Sequence, residues 1–409
     1  MRRFWEWARE YEPGTVGAAL VLSVIGILLI YSAQHNAASE YFRNLYLRQS
    51  LWLLLAGVGF TAATLIPLRL CEAFAYVFLA VVWAVLILLI LMGQQVAGAA
   101  RWVMLGPANI QPSEVAKLAL ILAVSRYLTY LKRPLLSART ILVVLAVVGV
   151  TSALVLKQPD LGTSLVFWAT AVAVLFWAGV PPLVLFLIFS PVLSLILAFH
   201  WLIWIVFFLV VLAVLHYTHP NLWSAVGVVT ANLAFGIITP IVWSHLHNYQ
   251  QKRILVFLDP GTDPAGAGYQ IIQSKVAIGS GGLLGRGFLR GTQSGLEFLP
   301  ARHTDFVFSV GAEEFGLLGG IVIVALFALL LWRVTSIGFA ARNKFSRFLA
   351  GGILSVVGFQ MLVNIGMAVG LMPVSGLPLP FVSYGGSSLF LFWTMIGLIV
   401  NIHRHRHEY

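Results

Sequence analysis

The sequence is short of charge, of acidic residues above all, and of cysteine. Charged residues make up 10% of the 409-residue chain, where soluble domains carry about 25%. Hydrophobic residues make up 60%. A chain so poor in charge cannot cover a water-facing surface, which excludes a soluble globular enzyme. Intrinsic disorder is excluded too, because it needs low hydrophobicity. The one cysteine, Cys71, excludes an internal disulfide and a cysteine-built metal cluster. Only 14 Asp and Glu stand against 25 Lys and Arg, a formal net charge of +11. This basic excess points to a polytopic membrane protein facing something anionic, either lipid headgroups or a phosphorylated substrate. No nucleic-acid partner is expected.

Long apolar runs are abundant. A bilayer core takes about 20 apolar residues per helix. Runs at 14–33, 49–66, 72–93, 112–131, 140–156, 162–179, 183–199, 202–217, 223–244, 316–334, 349–371 and 386–402 predict twelve spans in an all-α bundle. The pair within 183–217 is short, separated only by His200 and Trp201, and reads either as a tight hairpin or as one tilted helix. Arg2, Arg3 and Arg9 precede the first run, which resembles a signal-anchor. With both termini in the cytoplasm, 14 of the 25 basic residues fall inside, as the positive-inside rule requires. The whole chain, 1–409, then reads as one membrane domain with a large external loop over 245–315, whose irregular part is 245–305. Such a long irregular loop is usually functional.

The other 11 basic residues, outside or at outer helix ends, are not explained by orientation. In the outer loop Arg286 and Arg290 alternate with Gly281, Gly282, Gly285 and Gly287. Glycines let backbone N–H groups approach an anion, and arginines add phosphate donors. A flexible loop with solvated charges explains the same residues. Asp305, beside Arg302 and His303, precedes the apolar Phe306-Val307-Phe308. Asp305 and Thr304 both suit a helix N-cap. Asp305 equally suits a reactive carboxylate at the membrane interface. Glu313 and Glu314 are costly inside lipid. They predict a wet or interfacial stretch over 305–314, with the span proper starting near 316.

Three more motifs share the outer side. In Pro112-Ser113-Glu114-Val115-Ala116-Lys117, Ser113 suits an N-cap. Glu114 and Lys117, three apart, can pair on one helix face. That pair either fixes helix packing or, with Arg101, contributes an intramembrane cation to a site. Lys157 to Thr163 reads as a tight turn capped by Asp160. Residues 370–388, rich in Pro and Gly, break a helix near the outer face and offer Tyr384, Ser387 and Ser388 as polar cavity groups.

Together these motifs resemble the SEDS family of bacterial shape, elongation, division and sporulation proteins. The resemblance rests on 101–117, 158–163, 266–308 and 370–388. Gly291-Thr292-Gln293-Ser294 followed by Leu296-Glu297-Phe298-Leu299-Pro300 is similar to the elongation branch, typified by RodA. That family usually has about ten spans, so 183–217 reads as an inserted helix pair.

The resemblance implies a bacterial cytoplasmic membrane protein and an inverting peptidoglycan glycosyltransferase that polymerises lipid II. It implies Asp305 as the essential carboxylate, and a class B penicillin-binding protein and the elongation machinery as partners. A divalent cation, Mg or Mn, is implied as cofactor, with no metal site readable in the sequence. The substrate-binding candidates are Lys117, Glu114, Arg101, Lys275, Arg286, Arg290, Glu297, Arg302, His303 and Ser388. Arg43 and Arg48 are weaker choices. A flippase or transporter of lipid-linked precursors is the rival reading. It would place ionisable residues through the midplane, whereas here they gather at the outer ends.

Overall fold

A computed structural model describes residues 12–37, 39–92, 103–105, 108–245, 268–295 and 298–406. The chain starts with α1 (Pro13–Gln34), a one-turn α2 (Glu40–Arg43), α3 (Leu45–Leu65) and α4 (Leu68–Met92). A small antiparallel hairpin follows, β1 (Val103–Leu105) with β2 (Ala108–Ile110), in which Met104 faces Asn109. Next come α5 (Pro112–Thr129), α6 (Ala138–Leu156), α7 (Leu161–Ala178), α8 (Pro182–Leu197), α9 (Trp201–Thr218) and α10 (Leu222–His245). The outer segment holds α11 (Tyr269–Gly281) and the short α12 (Thr292–Gly295). The chain ends with α13 (Val307–Ala340), α14 (Lys344–Ala368) and α15 (Gly386–Arg404).

The twelve expected spans each coincide with a long helix. Among the described residues, nine are long and apolar enough to cross a membrane on those grounds alone. Helix α5 has the length but carries Glu114, Lys117 and Arg126. Helix α3 carries Arg48, Gln49 and Ser50 in its first turns, and α8 is shorter, at 16 residues. The segment 183–217 forms two helices, α8 and α9, meeting at residues 198–200.

Burial separates the centre from the lipid-facing rim. The apolar stretch of α15 is 78% buried and that of α14 61%, against 11% for α9 and for α10. Helix α15 therefore forms the axis, packed on α1, α3, α5, α13 and α14. Exposed side chains such as Val206 and Leu209 on α9 suit acyl chains. Between α8 and α10, Ser194 donates to Asn232 Oδ1 at 2.7 Å, and Asn232 donates to Ser190 at 2.8 Å. A buried polar ladder of this kind holds helices together where apolar contact gives no preference over lipid.

Two ends of the bundle differ chemically. At one, Arg333 on α13 pairs with Glu12 before α1 at 2.9 Å, and Asn401 on α15 donates to the Ala63 and Ile66 carbonyls at the C-terminal end of α3. At the other lie the α1 C-terminus, the α5 N-terminus, residues 298–306 and the break between α14 and α15.

The stretch 245–305 is not wholly irregular, as expected from its glycines. Residues 269–281 form α11, which buries Ile271, Ser274, Ala277 and Gly281, a helical spacing that packs on α13. The span expected to start near 316 is the second part of α13. That helix runs from Val307 and is broken at Gly316, whose φ of 65° and ψ of −162° leave the helical region. The break frees the carbonyls of Glu313 and Glu314 and the N–H groups of Leu317 and Leu318. All four are recaptured by the glycine segment. Arg286 N donates to Glu313 O at 3.1 Å and Gly287 N to Glu314 O at 2.9 Å. Leu317 N donates to Gly282 O at 2.9 Å and Leu318 N to Leu283 O at 3.2 Å. A Cβ on Gly285 would overlap the Glu314 carbonyl oxygen, so this approach requires glycine.

Candidate active site

Asp305 lies in a compact turn just ahead of α13. The N–H groups of Thr304, Asp305 and Phe306 all converge on the Ala301 carbonyl, at 3.0, 3.1 and 3.3 Å. The expected N-cap role is not observed. The α13 cap position is Phe306, with no side-chain cap bond, and Thr304 Oγ1 turns back to the Ala301 carbonyl at 3.2 Å. The Asp305 carboxyl is thus not committed to the helix end.

Three elements hold this turn. Asn364 on α14 donates to the Asp305 carbonyl at 2.9 Å and to the Leu377 carbonyl at 2.8 Å. Ser383 donates to the Thr304 carbonyl at 2.5 Å. Tyr384 N donates to the His303 carbonyl at 2.9 Å. Gln34, the last residue of α1, meets both His303 Nδ1 at 2.7 Å and Arg302 Nη2 at 3.3 Å. Gln49 on α3 secures the opposing loop, donating to Ser383 O at 3.2 Å and accepting from Gly385 N at 3.2 Å.

Burial shapes the electrostatics. It pushes the Asp305 carboxyl up to about 6 from its ordinary 3.8, against the opposing effect of Thr304. It pushes His303 down to about 4, helped by the neighbouring Arg302 charge. Burial also raises the Tyr384 phenol, helped by Tyr41 and opposed by Arg48. A half-buried carboxyl raised from the ordinary range to about 6 is suited to general-base work.

A second cluster stands at the outer end of α5. Lys117 is buried, with its Nζ 2.6 Å from Glu114 Oε1 and 6.0 Å from the Phe392 ring centroid. The expected pairing of Glu114 and Lys117 is therefore present. The expected Ser113 cap is not: Gln111 is the cap residue, and Ser113 accepts from its side chain at 2.9 Å. Pro112 at the first helical position moves the helix start two residues earlier than a Ser113 cap would. Asp160 does cap α7, accepting from Thr163 N at 3.1 Å, and it also accepts from Gln111 at 3.1 Å.

The 369–385 loop joins the two clusters. Its Ser383 binds the Asp305 turn, and its Phe381 packs on Phe392 at 5.4 Å between centroids, beside Lys117. Ser388 and Phe392, four apart, share one face of α15. Ser388 is buried one turn further out than Phe392.

The remaining candidates are scattered. Lys275 is exposed on α11, and its side chain passes over Gly370, where φ is +79°. Arg286 and Arg290 are exposed on the glycine segment. Arg286 donates to Ser280 O at 3.2 Å and to Thr292 Oγ1 at 2.8 Å. The backbone amides of Arg286 and Gly287 are spent on the broken helix, so they do not form the anion cradle that the glycine spacing allowed. Glu313 and Glu314 do not line a wet cavity. Both are buried: Glu313 accepts from Thr292 N at 2.6 Å and Gln293 N at 2.8 Å, and Glu314 accepts from Ser32. Arg101 and Glu297 lie outside the described residues.

Gln34, Gln49, Asn364 and Ser383 were not singled out in the sequence. The first three are lone amides in or at the end of apolar helices, the signal that marks costly and therefore purposeful polarity. Among the described residues, no three His, Cys, Asp or Glu side chains gather closely enough to hold a metal. One carboxylate beside amides and a hydroxyl does not make a divalent-cation cage.

The sequence profile of the FtsW/RodA/SpoVE family, described as cell cycle proteins, matches residues 15–204 and 203–408. Peptidoglycan glycosyltransferase MrdB of Escherichia coli K12 is 36% identical over 99% of this chain and 96% of its own. Peptidoglycan glycosyltransferase RodA of Treponema pallidum is 34% identical over 94% and 95%. A chain of a peptidoglycan synthase complex, solved for its coordination of polymerization and crosslinking, superimposes with a TM-score of 0.73. It is 32% identical, with 98% of this chain and 99% of that one covered. The crystal structure of the rod shape determining protein RodA of Thermus thermophilus gives a TM-score of 0.64 at 27% identity, covering 98% of each chain. With its bundle, its motifs and nearly its full length in agreement, the chain belongs to the FtsW/RodA/SpoVE family of multi-pass membrane proteins, the shape, elongation, division and sporulation group.

Proposed function

We propose that the chain is a peptidoglycan glycosyltransferase that polymerises lipid II at the outer face of the bacterial cytoplasmic membrane during elongation, with both termini inside. The observation that carries the reaction is Asp305: a half-buried residue whose carboxyl is raised to about 6, on a turn fixed through its own backbone by Asn364, Ser383 and Ala301. The 4-hydroxyl of the acceptor sugar is a poor nucleophile and needs a base within about 3 Å. Asp305 takes that proton as the hydroxyl oxygen attacks the anomeric carbon of the donor. The bond from that carbon to the lipid pyrophosphate breaks with inversion, and the pyrophosphate leaves with the electron pair.

The leaving group needs charge stabilisation more than a proton. Lys275, Arg286 and Arg290 are exposed cations on the same outer segment. Lys117, held by Glu114, lies deeper, across the Phe381–Phe392 contact. The lipid tails stay in the bilayer. A class B penicillin-binding protein is the partner that cross-links the strands. Kinship with a chain of a synthase complex supports that assignment. A divalent cation accompanying the pyrophosphate is compatible with this scheme.

Strand synthesis by the purified full chain in detergent micelles separates this reading from a flippase. A micelle has no second compartment, so a transporter yields no product. Glycan strands from lipid II alone are the expected result. Their absence, with translocation of the lipid across reconstituted vesicles, would contradict it.

A further inference from the structure

Gln34 sits where two residues of opposite hydrogen-bonding character meet. It is buried, with its Oε1 3.3 Å from Arg302 Nη2 and its Nε2 2.7 Å from His303 Nδ1. A guanidinium can only donate. The Gln34 atom facing Arg302 must therefore be the carbonyl oxygen, which turns the amide N–H toward His303. The network, not the density of atoms, decides the amide orientation. His303 Nδ1 must then accept. A ring that accepts at Nδ1 is neutral and carries its proton on Nε2.

We infer that Gln34 is a positioning residue that locks His303 as the neutral Nε2–H tautomer, so that His303 offers the lipid-linked sugar an uncharged N–H donor two residues from Asp305. This rests on the glycosyltransferase reading and names a contact within the same site. Three observations support it. The ring is held between Phe42 and Tyr384, with centroids 6.0 and 5.9 Å away, so its plane is set. Among the described residues no group accepts from Nε2. The cation beside the ring disfavours a second proton, and the one nearby carboxylate, Asp305, is not among the groups that shift it. Arg302 is adjacent and cationic, and its effect adds to burial in pushing His303 down to about 4. Tyr384 faces the ring from the 369–385 loop, with Tyr41 and Arg48 beyond it. Asp305, on the same turn, is the one carboxylate in the segment.

A neutral donor suits this position. An imidazolium beside Asp305 would hold the carboxylate as an ion and weaken it as a base. A neutral N–H can orient a sugar oxygen without that effect. The lock also ties α1 to the turn on both sides of Asp305. Gln34 grips the residues before it, and Ser32, two residues earlier on α1, donates to Glu314 on the helix after it.

The test is nitrogen NMR of the full chain in lipid nanodiscs, labelled at histidine, with the His303 signals assigned by their loss in His303→Gln. The expected wild-type spectrum at pH 7 has Nδ1 unprotonated and Nε2 protonated. Gln34→Glu presents only acceptors, so Nδ1 should become protonated and kcat/KM for strand synthesis should fall roughly tenfold. Should that variant not fold, Gln34→Met gives the same reading, with mixed tautomer signals and a loss in rate. A wild-type ring protonated on Nδ1, a Gln34→Glu variant with altered tautomer and wild-type rate, or one that loses rate with tautomer unchanged would each overturn the inference. Full activity in Asp305→Asn would instead remove the functional reading while leaving the tautomer result standing.

Discussion

Asn364 Nδ2 lies 2.9 Å from the backbone oxygen of Asp305, so a buried amide on α14 fixes the position of the candidate base without touching its carboxyl. The same amide donates to Leu377 O at 2.8 Å, binding the 369–385 loop to the turn. Asn364→Leu should leave two buried carbonyls without a donor. The expected cost is about 1–3 kcal/mol of stability. Thermal unfolding in detergent should register that loss, and the strand-synthesis rate should fall further than the lost folded fraction explains.

The Lys117–Glu114 pair permits a test that separates structure from substrate contact. Removing one partner strands a buried charge, at a cost of about 3–5 kcal/mol. Lys117→Met alone should therefore fold poorly. Lys117→Met with Glu114→Gln should regain most of that stability, because no charge is left unpaired. If Lys117 serves the pyrophosphate, the folded double variant still uses lipid II weakly. A stable double variant with the wild-type rate would make the pair purely structural.

The seam at Gly316 should be intolerant of a side chain. Its φ is 65°, and a Cβ there would overlap the Gly285 amide. Gly316→Ala and Gly285→Ala should each lower the yield of folded protein, by at least the ~1–2 kcal/mol a left-handed non-glycine residue costs. Gly279→Ala, where a Cβ meets nothing within 4 Å, is the matched control and should be near neutral. Size-exclusion profiles of the three variants decide the matter.

The Asp305 carboxyl gives pH dependence of two kinds. As a base it works only when ionised, so the rate should rise with pH through about 6. Stability runs the other way. The folded value lies above the ordinary 3.8, so the protonated form favours folding. That contribution is complete below about 3.8 and is lost as the pH rises through about 6. Asp305→Asn should therefore be more stable than the parent at pH 8, by up to about 3 kcal/mol for a shift of this size. The gain should vanish near pH 4. Thermal scans at the two pH values read it directly.

The helices were legible because burial in lipid demands long apolar runs, and each of the twelve runs became a helix. Less legible was where polarity is satisfied. Asp305 and Thr304 look like caps to any local rule, yet the turn closes on the Ala301 carbonyl and leaves the carboxyl uncommitted. The glycines at 281–287 looked like an anion loop. The backbone of that segment instead completes a helix broken some thirty residues later at Gly316, a partnership no local spacing encodes. Gln34 and Asn364 were overlooked because each is one amide in an apolar setting, and their partners lie far along the chain. The Glu114–Lys117 pair was readable because both partners sit on one helix face.

The most direct measurement is strand synthesis from purified lipid II by the wild-type chain and by Asp305→Asn, each shown to be folded by size-exclusion and thermal unfolding. The predicted result is strands from the wild type and none above background from the variant, although that variant is at least as stable. Strand synthesis by folded Asp305→Asn at a rate near the wild type would contradict the assignment of Asp305 as the base.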